Sequence, residues 1–298
     1  MTRAETGELV GAARAAGTAA LAFNVITLEH AEGILAGAVA ADRAVILQIS
    51  QNAARYHGGD LRPLVAAIAA LVEASPVPAS VHLDHVDDVG LLFPPLPGVS
   101  SAMFDASRQA YADNVLSTAR TAAALHGAGL WVEAELGEVG GKDGAHAPGA
   151  RTDPREAAQF VAATGVDALA VAVGSSHAMT TRTAAIDLDL VARLAAAVPV
   201  PLVLHGSSGV PADQLRAAAA AGIAKINIGT ALNIAFTGRI RAVLAEQPDL
   251  TDPRRYLAPA RDAVSGAVER LFAEVAGTAG AAAAGTAPAP ADTARLPR

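Results

Sequence analysis

No cysteine occurs among the 298 residues. Disulfides and thiolate metal sites are therefore excluded, and any metal must be held by His, Asp or Glu. Aromatic side chains are scarce, at 3%, so Ala, Val and Leu must fill the interior. Lysine is almost missing, with only Lys142 and Lys225 present. No run of about 18 apolar residues free of charge suggests a membrane span. The opening MTRAETGELVGAARAAG has no uninterrupted apolar stretch of the signal-peptide kind. The expectation is a cytoplasmic protein without a membrane partner. The formal net charge of -7 argues against nucleic acid as a partner. An anionic small substrate would need positive potential from a metal, helix N-termini or a few arginines.

What the chain does have is 52% hydrophobic residues against 17% charged, enough for a large core. Eight short, apolar, β-prone runs alternate with Ala-rich segments. The runs are AALAFNV (19–25), AVILQIS (44–50), ASVHLDHV (79–86), SSAMFDA (100–106), LWVEAELG (130–137), ALAVAVG (168–174), PLVLHGS (201–207) and IAKINIGT (223–230). Helices are expected at 28–41, 61–74, 109–127, 154–164, 187–197, 211–221 and 231–246. Start signals support several, such as Thr27 before LEHAEGI, or Thr152 and Asp153 before Pro154. DDVGLLFPPLPG, between the third and fourth runs, is too proline-rich for a long helix and predicts a short one or a loop. Eight strand–helix units over about 250 residues predict a closed (β/α)8 TIM barrel. An open doubly wound sheet wants a glycine-rich turn after its first strand, and here that strand passes into FNVITLEH. Residues 259–276 predict an extra C-terminal helix, so the barrel domain is expected over 1–276. The low-complexity stretch 277–298 is expected to be a disordered tail.

In such a barrel the chemistry sits at the C-terminal ends of the strands. Those ends carry Asn24, Ser50, Asp84, His85, Asp105, Glu133, Glu135, His177, His205, Lys225, Asn227 and Thr230. Packing alone does not put polar groups at one end of apolar strands. His85, His177 and His205 are expected to project into one mouth, and three imidazoles with an open position suit a catalytic zinc. Alternation puts Glu133 with Glu135, and Lys225 with Asn227. Glu133 and Lys225 are expected to form a buried ion pair, with a Schiff-base lysine as the alternative use of Lys225. Glu135 is a candidate further metal ligand or acid–base group. His82 is read as a hydrogen-bonding residue inside the barrel. In HGSSGVPADQL (205–215), and at Thr230 before the next helix, backbone N–H groups and hydroxyls can cradle a phosphate.

The blocks FNV, VILQIS, HLDH, VEAELGEVGG, AVGSSH, PLVLHGSSG, AKINIGT and DPRRYLAPARDAV run in order from about Ala19 to Ala276. In order and spacing they resemble the class II, metal-dependent ketose-bisphosphate aldolases. The resemblance implies a zinc ion on His85, His177 and His205, with Glu135 as an alternative metal-site residue and Asp84 as the catalytic acid–base. It implies contacts to dihydroxyacetone phosphate from Gly206, Ser208, Asn227 and Thr230. Asn24 and Ser50 would lie near the second substrate half, and Arg254 would meet the distal phosphate. A monovalent cation, Na+ or K+, and a homodimer or homotetramer are implied too. The expected reaction is reversible cleavage of a ketose (bis)phosphate, similar to fructose 1,6-bisphosphate, into dihydroxyacetone phosphate and an aldehyde. The chain departs from the pattern after GEVGG, where Lys142 and Asp143 stand near the usual loop glutamate, and at Gly229 and Ala231, usually polar. A non-catalytic sugar-phosphate-binding barrel is the remaining alternative.

Overall fold

Eight parallel strands pair in chain order and close into a ring in the computed structural model, which describes residues 3–137, 151–175 and 182–276. They are β1 (Ala20–Asn24), β2 (Val45–Ser50), β3 (Ala79–Val86), β4 (Ser101–Phe104), β5 (Trp131–Glu135), β6 (Ala168–Ala170), β7 (Leu202–Leu204) and β8 (Ile223–Ile228). Each falls within an apolar run read from the sequence. Closure comes from β8 pairing with β1, where Ala20 meets Lys225 and Ala22 meets Asn227. The helices are α1 (Thr6–Ala15), α2 (Leu28–Ala41), α3 (Gln51–Tyr56), α4 (Arg62–Ala74), α5 (Tyr111–Gly127), α6 (Pro154–Thr164), α7 (Leu188–Ala197), α8 (Ala212–Ala221), α9 (Thr230–Glu246) and α10 (Arg254–Ala276). The expected tail at 277–298 lies outside the described residues.

Several boundaries have a visible cause. Asp153 accepts hydrogen bonds from the N–H groups of Arg155 and Glu156 and so caps α6, with Pro154 in its first turn. In DDVGLLFPPLPG a single 3-10 turn, Val89–Leu91, is started by Asp88 accepting from Gly90 N–H, and Phe93–Pro94 is a cis peptide. Two helices were not expected. One is α3, a six-residue turn that follows β2 directly and is capped by Ser50 Oγ accepting from Ala53 N–H. The other is α1, which lies across the N-terminal end of the barrel. The expected C-terminal helix starts earlier than predicted, at Arg254, with Pro259 inside it. A proline costs a helix one hydrogen bond. Here packing against α2, α8 and α9 carries the helix past it.

The contact of α10 with α2 depends on two glycines. A Cβ on Gly33 would come 2.7 Å from the carbonyl oxygen of Arg261, and one on Gly37 would come 2.5 Å from that of Ser265. The two helix backbones can approach this closely only because no side chain intervenes. Phe23 on β1 meets Phe272 on α10 edge-on, with ring centroids 5.8 Å apart.

The main apolar core lies between strands and helices and is built largely from Ala, Val, Leu and Ile. Barrel interiors are usually filled by layers of branched apolar side chains. This one departs from that rule: Gln48, Ser80, His82, Ser101, Glu133 and Lys225 are all buried inside it. At its base Val10 of α1 packs with Ala22, Ile46 and Ala224. Beside them Thr6 donates to Ser80 Oγ at 2.9 Å, lies 2.9 Å from Ser100 Oγ, and accepts from Ser101 Oγ at 2.6 Å. Ser101 Oγ is also 2.8 Å from His82 Nδ1. A column of polar contacts therefore climbs from the base toward the mouth.

Candidate active site

The end of β3 brings two neighbouring polar residues to the same place. In a regular strand Asp84 and His85 would face opposite ways. The β3–β4 register shifts between Leu83 and Val86, and His85 has a left-handed backbone with φ of 49°. Non-glycine residues take that conformation at a cost, and it concentrates at functional sites. The outcome is that Asp84 and His85 both line one cavity of about 230 Å³.

Expected residues from both sides of the β8–β1 seam line the same cavity. Asn24 and Ser50 come from β1 and β2, Gly206 and Ser208 from the turn after β7, Asn227 from β8 and Thr230 from the start of α9. His205 is fully buried, yet its ring packs edge-on against His85 at a centroid distance of 4.6 Å. Glu135 Oε2 is 3.9 Å from His85 Nδ1 and 3.9 Å from His205 Nδ1. His177 lies outside the described residues, as do Glu138, Lys142, Asp143 and His146. Arg254 is not brought to the cavity. Its side chain is 88% exposed and forms a two-pronged ion pair with Asp252.

Asp84 is held from several sides. Asn24 Nδ2 donates to its Oδ2 at 2.9 Å, and Asn227 Nδ2 reaches its Oδ1 at 3.3 Å. Gln48 Nε2 holds Asn24 Oδ1 at 2.9 Å and approaches Asp84 Oδ2 at 3.5 Å. Burial works to raise the Asp84 pKa, but His85, His205, Lys225 and His82 outweigh it and keep the carboxyl below its ordinary value. Asp84 is therefore a buried carboxylate, ionised at neutral pH and able to accept a proton. Gly229 makes room for this arrangement: a Cβ there would sit 2.8 Å from Asn24 Oδ1.

Each described histidine at the mouth has a carboxylate behind it. His85 Nδ1 is 2.8 Å from Asp105 Oδ2, and Asp105 Oδ1 accepts from Ser107 Oγ at 2.6 Å. His205 Nε2 is 2.9 Å from Glu133 Oε1, and Glu133 Oε2 accepts from Lys225 Nζ at 2.7 Å. The ion pair expected between Glu133 and Lys225 is thus present, and both side chains are fully buried. Burial opposes the charge on Glu133, but Lys225 and the hydrogen bond from His205 hold its carboxyl far below the ordinary range. Burial also lowers His205, partly offset by Glu133, and brings His82 down to about 3. These imidazoles are neutral at neutral pH, the form that binds metal.

The donor set fits a metal ion. Ligand atoms of Asp84, His85 and His205 lie within 4.8 Å of one another, and so do those of His85, Asp105 and Glu135. Imidazole and carboxylate without thiolate suit zinc and similar divalent ions. The phosphate cradle has its own local logic. Gly206 turns the chain with φ of 65°, Ser207 Oγ donates to the Asn227 carbonyl, and Ser208 Oγ accepts from Ala231 N–H at 3.1 Å at the start of α9. Asp105 and Gln48 are the site residues whose roles the sequence did not reveal. The signal available was position: Asp105 directly follows β4, Asp84 lies near the C-terminal end of β3, and Gln48 comes two residues before Ser50.

A parallel eight-stranded barrel with imidazoles and carboxylates gathered at its C-terminal mouth is the framework of a barrel enzyme with a metal-binding donor set. Comparison with known proteins narrows the class. The pattern that defines class-II fructose-bisphosphate aldolase matches residues 4–281. A fructose-bisphosphate aldolase of Thermus caldophilus is 37% identical over 299 aligned positions, which cover 90% of this chain and 97% of that protein. The crystal structure of a putative fructose-1,6-biphosphate aldolase from Coccidioides immitis superposes with a TM-score of 0.80 at 28% identity, covering 91% of this chain and 96% of that one. The YdjI aldolase from Escherichia coli K12 gives 0.76 at 28% identity, covering 91% and 98%. The chain belongs to the class-II fructose-bisphosphate aldolase family. It is an aldolase, a carbon–carbon lyase.

Proposed function

We propose that this aldolase is zinc-dependent and cleaves a ketose bisphosphate of the fructose 1,6-bisphosphate type to dihydroxyacetone phosphate and an aldehyde, reversibly. The observation that carries the reading is the position of Asp84, an ionised buried carboxylate lining the cavity beside His85 and His205. In this proposal His85, His177 and His205 hold the zinc, with Glu135 beside them as an alternative ligand. Bound there, zinc would polarise the substrate carbonyl and stabilise the enediolate formed when the carbon–carbon bond breaks.

The chain's own groups do the rest. Asp84 accepts the C4 hydroxyl proton during cleavage and returns it to the aldehyde oxygen in condensation. Asn24 and Asn227 keep its two oxygens oriented toward the cavity. Gly206, Ser208 and Thr230, at the N-terminal end of α9, bind the phosphate of the dihydroxyacetone half through backbone N–H groups and hydroxyls. A monovalent cation, Na+ or K+, would sit close to that phosphate. Asn24 and Ser50 contact the second half of the substrate. Arg254 would have to leave Asp252 to meet the distal phosphate. Lys225 is buried under the cavity in its pair with Glu133 and does not line it, which favours the metal route over a Schiff base. The protein is proposed to act in the cytoplasm as a homodimer or homotetramer, with residues 277–298 outside the barrel domain.

The test is metal analysis of protein purified without chelator, coupled to solvent-proton exchange into dihydroxyacetone phosphate alone. Zinc bound near one per chain, with exchange abolished by EDTA and restored by zinc, is the expected result. Full exchange by the chelated protein would sink the zinc role. Asp84→Ala should keep its zinc and lose cleavage.

A further inference from the structure

Glu133 lies directly behind His205, and neither is exposed to solvent. We propose that the Glu133–Lys225 pair is the positioning element of the metal centre, fixing which nitrogen of His205 faces the metal and how tightly the ion is held. This inference rests on the zinc reading above.

The geometry gives each atom a task. Glu133 Oε1, 2.9 Å from His205 Nε2, accepts that nitrogen's proton and leaves Nδ1 with its lone pair. Nδ1 is the atom on the side of Glu135, 3.9 Å from Oε2, where the candidate ligands converge. A carboxylate has two equivalent oxygens and can rotate away from a single donor. Lys225 prevents this by holding Oε2 at 2.7 Å. His82 Nε2 flanks the same oxygen at 3.8 Å, with its own ring pinned by Ser101. Neither Glu133 nor Lys225 lines the cavity, so neither is placed to touch substrate. Stability alone does not call for charge here, because a well-packed apolar pair usually serves a buried site as well or better. An apolar pair cannot accept a proton from His205. Carboxylates that hold a ligating histidine in this way typically change metal affinity about 10–100-fold when removed.

The experiment measures zinc affinity by competition with a chromophoric chelator, alongside thermal unfolding, for wild type, Glu133→Leu, Lys225→Met and the double variant. The double variant carries no buried charge at this place. It should recover much of the stability that each single variant loses, yet still hold zinc about 10–100-fold more weakly than wild type. Its cobalt-substituted visible spectrum should also shift, which a purely structural role would not cause. Wild-type affinity and spectrum in the double variant, or in Glu133→Leu, would overturn the inference while leaving zinc dependence intact. A wild-type protein that takes up no zinc would overturn both.

Discussion

The two ends of the barrel solve the same problem in different ways. At the base, Thr6, Ser80, Ser100 and Ser101 are buried hydroxyls that satisfy one another, and α1 lies over them. At the mouth, Asp84, Asp105, Glu135, His85 and His205 are titratable groups gathered in one cluster, held by carboxylate–imidazole contacts and a left-handed backbone turn. Neutral hydroxyls can close a barrel without bringing charge into it. Crowded carboxylates and imidazoles repel one another or compete for protons, and a bound cation relieves both conflicts. The contrast separates what holds the molecule together from what it does.

Substitutions at either end can break or sharpen that separation. The largest effect is expected at the mouth. Asp84→Asn should lower kcat by about 10²–10⁴-fold, the usual range for a lost general acid–base, in a coupled cleavage assay. Retained zinc would show that the mouth is otherwise intact. At the base, Thr6→Val keeps the shape but leaves three serine hydroxyls short of a partner. It should cost about 1–3 kcal/mol in denaturant unfolding and leave kcat within about twofold of wild type. A large loss of kcat there would break the comparison. Gly229→Ala should push Asn24 away from Asp84 and lower kcat/KM by roughly tenfold, with little change in Tm.

At neutral pH the smallest effect is that of His82, midway between the ends, because its protonation matters only in acid. In the folded protein it takes up a proton only near pH 3, against 6.5 in the unfolded chain. Its contribution to stability is complete above about pH 6.5 and is lost as the pH falls toward 3. This amounts to at most about 1.4 kcal/mol per pH unit. Unfolding curves of His82→Gln should depend less steeply on pH in that window. An unchanged slope would mean that His82 ionises in the fold.

The strands were legible because short, apolar, β-prone runs recur along the chain, most of them separated by Ala-rich segments. The two short helices were not. Ala-rich α1 has no side-chain N-cap bond and gains its place by docking on the barrel base. Six-residue α3 is too short to show a period. Much of the site could be listed from strand ends, and Asn24, Ser50, Asp84, His85, Gly206, Ser208, Asn227 and Thr230 do meet at one cavity. The means of assembly was hidden. Alternation separates Asp84 from His85, and only the register shift between β3 and β4 reunites them. Asp105 and Gln48 act through partners about 20 residues or more away in the chain, which no local motif encodes. Arg254 was read from a short block, and a block does not tell which way a first-turn arginine points.

The glycine-lined contact between α2 and α10 has a consequence for how the chain is made. Helix α2 leaves the ribosome long before α10, the last described element. Until residues 254–276 emerge, the bare stripe at Gly33 and Gly37 has no cover, and a nascent chain carries it past most of its own synthesis. Helix α10 acts as a clasp joining early and late parts of the polypeptide. A chain that stops short of residue 254 would leave that stripe exposed, the kind of uncovered surface that makes incomplete folds prone to aggregate.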